Sequence, residues 1–262
     1  MSQRPVTECF TGLSEVYSRH RPGYPVEAIE AIVAGMSRPV RVADVGSGTG
    51  ISTRLLASHA DSVIGIDPNE DMLSQARRAS STDGHRVEYR RGTGEQTGLD
   101  TALVNVVVCA QSFHWFDPHA ALAEFHRILS PHGRLALMWN IREDHDAFTA
   151  GYGEVVHRAQ ADARQRGLVV HNDHHADLTI DGWFKLVRRQ QFPNPHEFGL
   201  DGLLGRARSA SYFPRAGPLR DELEGVLRRL FQLHHRNDRV TLMQSTEVTM
   251  GRRVDRDVAK SH

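Results

Sequence analysis

The stretch Val42-Ala43-Asp44-Val45-Gly46-Ser47-Gly48-Thr49-Gly50 constrains this chain more than any other. A short apolar run ends in three alternating glycines, and a helical pattern follows. A parallel α/β domain turns from its first strand into its first helix in this way. Glycine reaches backbone angles closed to other residues and lets a ligand approach the main chain. The spacing is G-x-G-x-G. The dinucleotide fingerprint G-x-G-x-x-G needs glycine at position 51, where Ile51 stands. The turn therefore points to a nucleoside cofactor without a pyrophosphate.

The rest of the chain supports an α/β reading. Apolar runs alternate with helical patterns from about residue 26 to 141, the mark of βαβ units and a parallel sheet. The patterns predict strands over 40–45, 62–66, 86–89, 104–110 and 134–139, and helices over 52–59, 70–80 and 119–129. The run 104–110 is almost unbroken, as expected of a strand buried on both faces. The rhythm loosens after Asn140. A helix is expected over 144–166, a strand over 183–191, a striped helix over 219–233 and a closing strand over 239–250. Residues 193–218, rich in Gly, Pro, Arg and aromatics, read as part of a cap. The expectation is one domain over 1–262, with 1–25 as a lid and about 144–236 partly a substrate cap.

Charge and cysteine content exclude several classes. Lys plus Arg and Asp plus Glu both number 32, so the formal net charge is zero, which argues against a general nucleic-acid binder. The two cysteines, Cys9 and Cys109, lie far apart and suit a reducing cytosol rather than a disulfide framework. The N-terminus has no signal-like apolar core, and no run approaches the roughly 20 apolar residues of a membrane span. A cytoplasmic monomer or homodimer is expected, with no membrane partner. The histidines of 171–175 and 234–235 read as polar loops, because a zinc site needs three or four convergent ligands; no metal is expected.

Five groups of residues carry candidate chemistry. In the glycine turn, the N–H groups of Gly46, Gly48 and Gly50 would line an amino-acid moiety beside Ser47, and Asp44 would accept from its ammonium. Asp67, in Gly65-Ile66-Asp67-Pro68-Asn69, falls about 20 residues after the turn, the spacing of a ribose-binding carboxylate. The same residues could instead cap the next helix. Met72 lies where adenine would rest, or in the core. Thr93, Gly94 and Glu95 follow the third strand at the depth of an adenine edge, or form an ordinary polar loop. Gln111, Phe113, His114 and Trp115 leave the carboxyl end of the fourth strand, where open α/β sheets bind ligands. There the aromatics wall a substrate or pack beneath the next helix. Near the N-terminus, Tyr17 could cover a cofactor, and Arg21 could pair with its carboxylate. Together these groups favour S-adenosylmethionine.

These residues resemble the class I S-adenosylmethionine-dependent methyltransferases, especially the small-molecule branch of trans-aconitate methyltransferase-like enzymes. The likeness rests on Tyr17…Arg21-Pro22…Tyr24-Pro25, on Asp44–Gly50 and on Ala110–Asp117, with Leu129–Gly133 in support. It covers residues 10–141 well and the remainder in outline. The resemblance implies a Rossmann-like three-layer sandwich. Its seven-stranded sheet would run in the order 3-2-1-4-5-7-6, the last strand antiparallel. Cofactor contacts are implied at the glycines, Asp67, the Thr93–Glu95 loop and Gln111. Asn105 departs from an aspartate that relatives often carry, at a position read as structural.

Methyl transfer is an in-line displacement at a sulfonium-bound carbon, so alignment and desolvation carry most of the burden. His114 is the expected catalytic residue, a general base for a hydroxyl or ammonium acceptor. Phe113, Trp115, Arg142, Tyr212 and the arginines of 205–215 are the candidates for binding a small, acidic substrate. Three alternatives stay open. They are other chemistry on the same cofactor, by intramolecular displacement or alkyl transfer, a nicotinamide oxidoreductase, and a non-catalytic cofactor-binding protein.

Overall fold

Strand β1 (Arg41–Val45) buries four of its five residues, and β4 (Val104–Ala110) buries all but Asn105. Runs apolar on both faces belong at the centre of a parallel sheet, and these two strands pair there. The computed structural model describes residues 23–80, 87–168, 170 and 177–255. The remaining strands are β2 (Ser62–Asp67), β3 (Val87–Arg91), β5 (Leu129–Arg142), β6 (Phe184–Pro193), β7 (His196–Phe198), β8 (Val240–Leu242) and β9 (Gln244–Arg253). Seven of them form one sheet in the order β3-β2-β1-β4-β5-β9-β6. With β9 as the seventh strand, this is the expected order. Strands β1, β2, β3, β4 and β5 pair in parallel. The N–H of Glu143 donates to the Met243 carbonyl at one end of β5, and Arg253 reaches the Leu129 carbonyl at the other. Strand β9 therefore runs antiparallel to β5.

The helices are α1 (Val26–Val33), α2 (Ile51–Ala57), α3 (Glu70–Ser80), α4 (Pro118–Ile128), α5 (Ala147–Gln165), α6 (Leu200–Arg208) and α7 (Pro218–His234). Asn105 has the structural role expected of it: its Oδ1 accepts from the Arg41 N–H at 2.8 Å and ties β4 to the start of β1. One core joins Ile29 and Ile32 of α1 and Leu56 of α2 to Val42, Val106, Val108, Met138 and Val248 of the sheet.

The expected closing strand over 239–250 is two strands. The N–H of Met243 donates to Thr149 Oγ1 at 3.0 Å, which interrupts the run between β8 and β9. Strand β8 pairs with β7 in a separate two-stranded sheet, and β9 enters the large one.

The described residues form two compact units. The sheet unit comprises 24–80, 87–139, 177–192 and 246–255; a helical unit comprises 23, 140–168, 170 and 193–245. The helical unit has its own apolar core, built from Phe148 and Tyr152 of α5, Leu203 of α6, and Leu223, Leu227 and Phe231 of α7, with Phe198, Val240 and Leu242 from the small sheet. Its first helix is capped by Asp146, whose side chain accepts from the Thr149 N–H at 2.9 Å. No helix among the described residues is long and apolar enough to cross a membrane.

Candidate functional site

The sheet order reverses between β1 and β4, and the loops leaving these strands flank the resulting crevice. All three glycines of the β1 turn have positive φ: 74° at Gly46, 53° at Gly48 and 77° at Gly50. Their surroundings differ. A Cβ on Gly46 would overlap the Ser112 side chain, and one on Gly50 would overlap the Tyr89 hydroxyl. A Cβ on Gly48 would meet nothing within 4 Å. Gly46 and Gly50 thus close the turn onto the protein, and Gly48 faces open space.

The turn's N–H groups are not the ligand donors the sequence suggests. Those of Gly46 and Ser47 both donate to the Ile66 carbonyl, at 2.8 and 2.9 Å, and that of Gly50 donates to the Ser47 carbonyl at 2.9 Å. The Gly48 N–H donates to Asp67 Oδ2 at 2.9 Å. Folding the turn back on β2 uses these donors internally.

The two acidic residues behave differently. Asp44 is fully buried, and its Oδ2 accepts from Ser52 Oγ at 2.7 Å and Thr53 Oγ1 at 2.6 Å. Burial pushes its pKa up to about 6, against the pull of these two hydroxyls. Asp67 is 8% exposed. Its Oδ1 accepts from the Asn69 N–H at 2.9 Å, so backbone donors fix both oxygens. Burial raises its pKa, and these backbone donors oppose the rise. Capping of α3 falls to Asn69, whose Oδ1 accepts from the N–H groups of Asp71 and Met72 at 3.0 and 3.2 Å. Asp67 is therefore not the cap, and its carboxylate is oriented beside the turn. Pro68 is half-buried next to it, and Met72 is buried at 3% exposure.

The loop after β3 is braced rather than loose. Thr93 Oγ1 accepts from the Gln96 N–H at 3.1 Å and closes its own turn. A Cβ on Gly94 would strike the Phe116 ring. Glu95 Oε1 accepts from the Asp117 N–H at 2.8 Å, where Asp117 itself caps α4 through Ala120 N–H. The Phe116 ring also lies within 3.3 Å of the Cβ position on Gly46, so it packs against the loops that follow both β1 and β3. Ser112 adds a third tie, donating to the Val45 carbonyl at 2.6 Å. The sequence reading missed Ser112 and Phe116 as site-forming residues. Their only signal is their place at the end of β4.

Gln111 is a non-glycine residue at φ 57°, with its N–H donating to the Met138 carbonyl at 2.9 Å. Such strain at the carboxyl end of a central strand marks functional positions. The residues after it divide. Phe113 is buried at 4% and packs edge-on to Phe116, with Phe125 also in ring contact, so it belongs to the core beneath α4 rather than to a substrate wall. His114 and Trp115 are half-buried on the same helical turn, their rings 5.2 Å apart.

In the helical unit, Arg142 Nε donates to Asp144 Oδ1 at 2.8 Å, so a carboxylate of the chain already engages it. Tyr212 is half-buried against the apolar core of that unit. Tyr17, Arg21 and the histidines of 171–175 lie outside the described residues. Among the described residues no group of three potential ligands could hold a metal ion.

Three buried polar atoms in and beside the glycine turn have no hydrogen-bond partner: Asp44 Oδ1, Ser47 Oγ and Thr49 Oγ1. Leaving such groups unpaired costs on the order of 1–3 kcal/mol each. A ligand with an ammonium and a carboxylate would complete the set, and an anchored carboxylate at Asp67 suits a ribose diol. The residues present fit an aminoacyl nucleoside.

Residues 43–137 match the methyltransferase domain family. An uncharacterised methyltransferase of Mycobacterium tuberculosis is 32% identical over 211 residues, 80% of each chain. A protein from Anaeromyxobacter dehalogenans, assigned as a type II methyltransferase, has a similar fold. The TM-score is 0.62 at 21% identity, covering 88% of this chain and 97% of the other. A geranyl diphosphate methyltransferase in complex with S-adenosylmethionine matches in fold with a TM-score of 0.52 at 13% identity, over 87% and 84% of the two chains.

Proposed function

The chain belongs to the S-adenosylmethionine-dependent methyltransferases of class I, and from that premise we propose that it methylates a small-molecule acceptor. The observation that carries the cofactor half is the set of unpartnered atoms beside Gly48, next to the oriented carboxylate of Asp67. Asp67 accepts from the ribose hydroxyls. Asp44 accepts from the amino group through Oδ1, and Ser47 and Thr49 meet the remaining polar atoms of the methionine end. Pro68 and Met72 border the adenine, and the Thr93–Glu95 loop and Gln111 bound its edge.

The cofactor, when bound, supplies a methyl group already activated on a sulfonium. The chain aligns the acceptor and excludes water, and orientation of this kind contributes roughly 7–11 kcal/mol. His114 and Trp115 border the acceptor. Where that acceptor is a hydroxyl or an ammonium, His114 takes its proton. Residues of the helical unit select the acceptor.

Product analysis by mass spectrometry tests this reading. S-adenosylhomocysteine and a methylated acceptor should accumulate together in equal amounts. Cofactor consumed without a methylated product would assign other sulfonium chemistry. A folded protein that binds no cofactor would overturn the reading.

A further inference from the structure

One face of the small sheet in the helical unit carries polar groups that no cofactor contact uses. Strands β7 and β8 pair antiparallel, with His196 opposite Leu242 and Phe198 opposite Val240. The ladder continues as the Asn194 N–H donates to the Gln244 carbonyl at 2.9 Å. Directly paired residues share a face, so His196, Phe198, Leu242 and Gln244 lie on the same side, with Gln244 diagonal to His196. Phe198 and Leu242 belong to the apolar core of the unit. The face turns polar at Gln244, which is only 2% exposed. Gln244 Oε1 accepts from the Arg206 guanidinium at 3.3 Å. That guanidinium lies over the Phe198 ring, 5.9 Å from its centroid. The His196 ring packs on the same phenylalanine at 4.3 Å.

Two atoms of this group are buried and without a partner: Gln244 Nε2 and His196 Nδ1. The Arg206 bond to Oε1 fixes the amide orientation, so its N–H₂ is turned to the unpartnered side. A buried amide donor left in this state costs about 1–3 kcal/mol unless a ligand completes it.

We propose that Gln244, Arg206 and His196 form a subsite that binds the carboxylate of a small monoanionic ligand. Gln244 Nε2 donates to one oxygen, the Arg206 guanidinium to the other, and His196 Nδ1–H flanks them. Burial, with Arg206 and Arg239 nearby, lowers the His196 pKa and favours the neutral ring. One cation and two neutral donors match a monoanion with two coplanar oxygens better than a phosphate dianion. The subsite rests on its own geometry and does not depend on the methyltransferase reading.

Titration of the full, isotopically labelled chain with sodium acetate, against sodium chloride at equal ionic strength, tests the subsite. The readouts are the side-chain amide resonance of Gln244, assigned with Gln244→Leu, and the Arg206 side-chain N–H resonance, which reports binding in the Gln244 variants. Saturable, acetate-specific shifts are expected. Gln244→Leu should weaken acetate binding about tenfold, with S-adenosylhomocysteine affinity by calorimetry unchanged. Gln244→Glu, which pairs with Arg206 and repels the anion, should abolish the response in a folded protein. No acetate-specific shift in protein that binds S-adenosylhomocysteine would overturn the proposal, as would a response to phosphate but not acetate. An acetate response without S-adenosylhomocysteine binding would keep the subsite and overturn the methyltransferase reading.

Discussion

The sheet unit and the helical unit solve recognition in different ways. In the sheet unit, the groups beside the cofactor turn sit within a few residues of a strand end. Asp44 closes on β1, Asp67 ends β2 and Gln111 follows β4. Main-chain donors from Gly48 and Asn69 hold Asp67, and two hydroxyls from the helix that follows the turn hold Asp44. In the helical unit, Arg206, His196 and Gln244 come from a helix and two strands, and side-chain contacts bring their polar groups together. A site built from backbone tolerates little change in its glycines, whereas one built from side chains can be retuned without touching the fold.

The sharpest way to break this contrast is within the glycine turn. Gly46→Ala adds strain at positive φ and an overlap with Ser112, and should cost about 4 kcal/mol or more. Gly48→Ala adds only the left-handed backbone cost, roughly 1–2 kcal/mol. It should fold yet lose S-adenosylhomocysteine binding. Thermal melts and calorimetry of the pair check this, and equal destabilisation would contradict the assignment of Gly48 to the ligand side.

Next in size is the apolar core of the helical unit. Leu227→Ala should cost about 2–5 kcal/mol and lower methyl transfer while leaving S-adenosylhomocysteine affinity within twofold. A parallel loss of cofactor affinity would erase the division of labour.

Asp44 gives a pH-dependent test. Its pKa stands at about 6, above the ordinary 3.8. A carboxyl that holds its proton more tightly when folded stabilises the fold below pH 3.8, and that contribution is lost as pH rises through 6. At pH 7 the buried charge therefore costs on the order of 3 kcal/mol in the absence of cofactor. Asp44→Asn should raise Tm by several degrees at pH 7, change it little at acid pH, and weaken S-adenosylhomocysteine binding. A lower Tm at pH 7 would show that the charged form is already satisfied.

The smallest effect is expected at His114. His114→Gln should lower kcat about tenfold with cofactor affinity unchanged. A loss of 10² or more with an altered pH profile would make the imidazole an obligatory base.

These tests follow the line between what the sequence reveals and what it hides. The bounds of β4 and α3 were legible, because buried strands and amphipathic helices impose periods on the chain, whereas the order of the large sheet came from the family resemblance. The place of Asp67 beside the turn was legible from its spacing in the chain. The fate of the glycine N–H groups was not, because it depends on how the turn folds back onto Ile66. Phe113 and His114 are adjacent and look alike as site residues; only the short helical turn sends one ring inward and leaves the other half-buried. The split between β8 and β9 depends on a hydroxyl from Thr149, about ninety residues away. Gln244 sits in a strand pattern that gives no hint of Arg206.

The central claim is that the turn after β1 and the carboxylate at the end of β2 hold an aminoacyl nucleoside. Calorimetry of S-adenosylhomocysteine against the intact chain and Asp67→Ala tests it most directly, with NAD as the competing ligand and a thermal melt to establish folding. The account predicts binding by the intact chain, a loss of about a hundredfold in the variant from two charge-assisted bonds, and no binding of NAD. Unchanged affinity in a folded Asp67→Ala protein would contradict it.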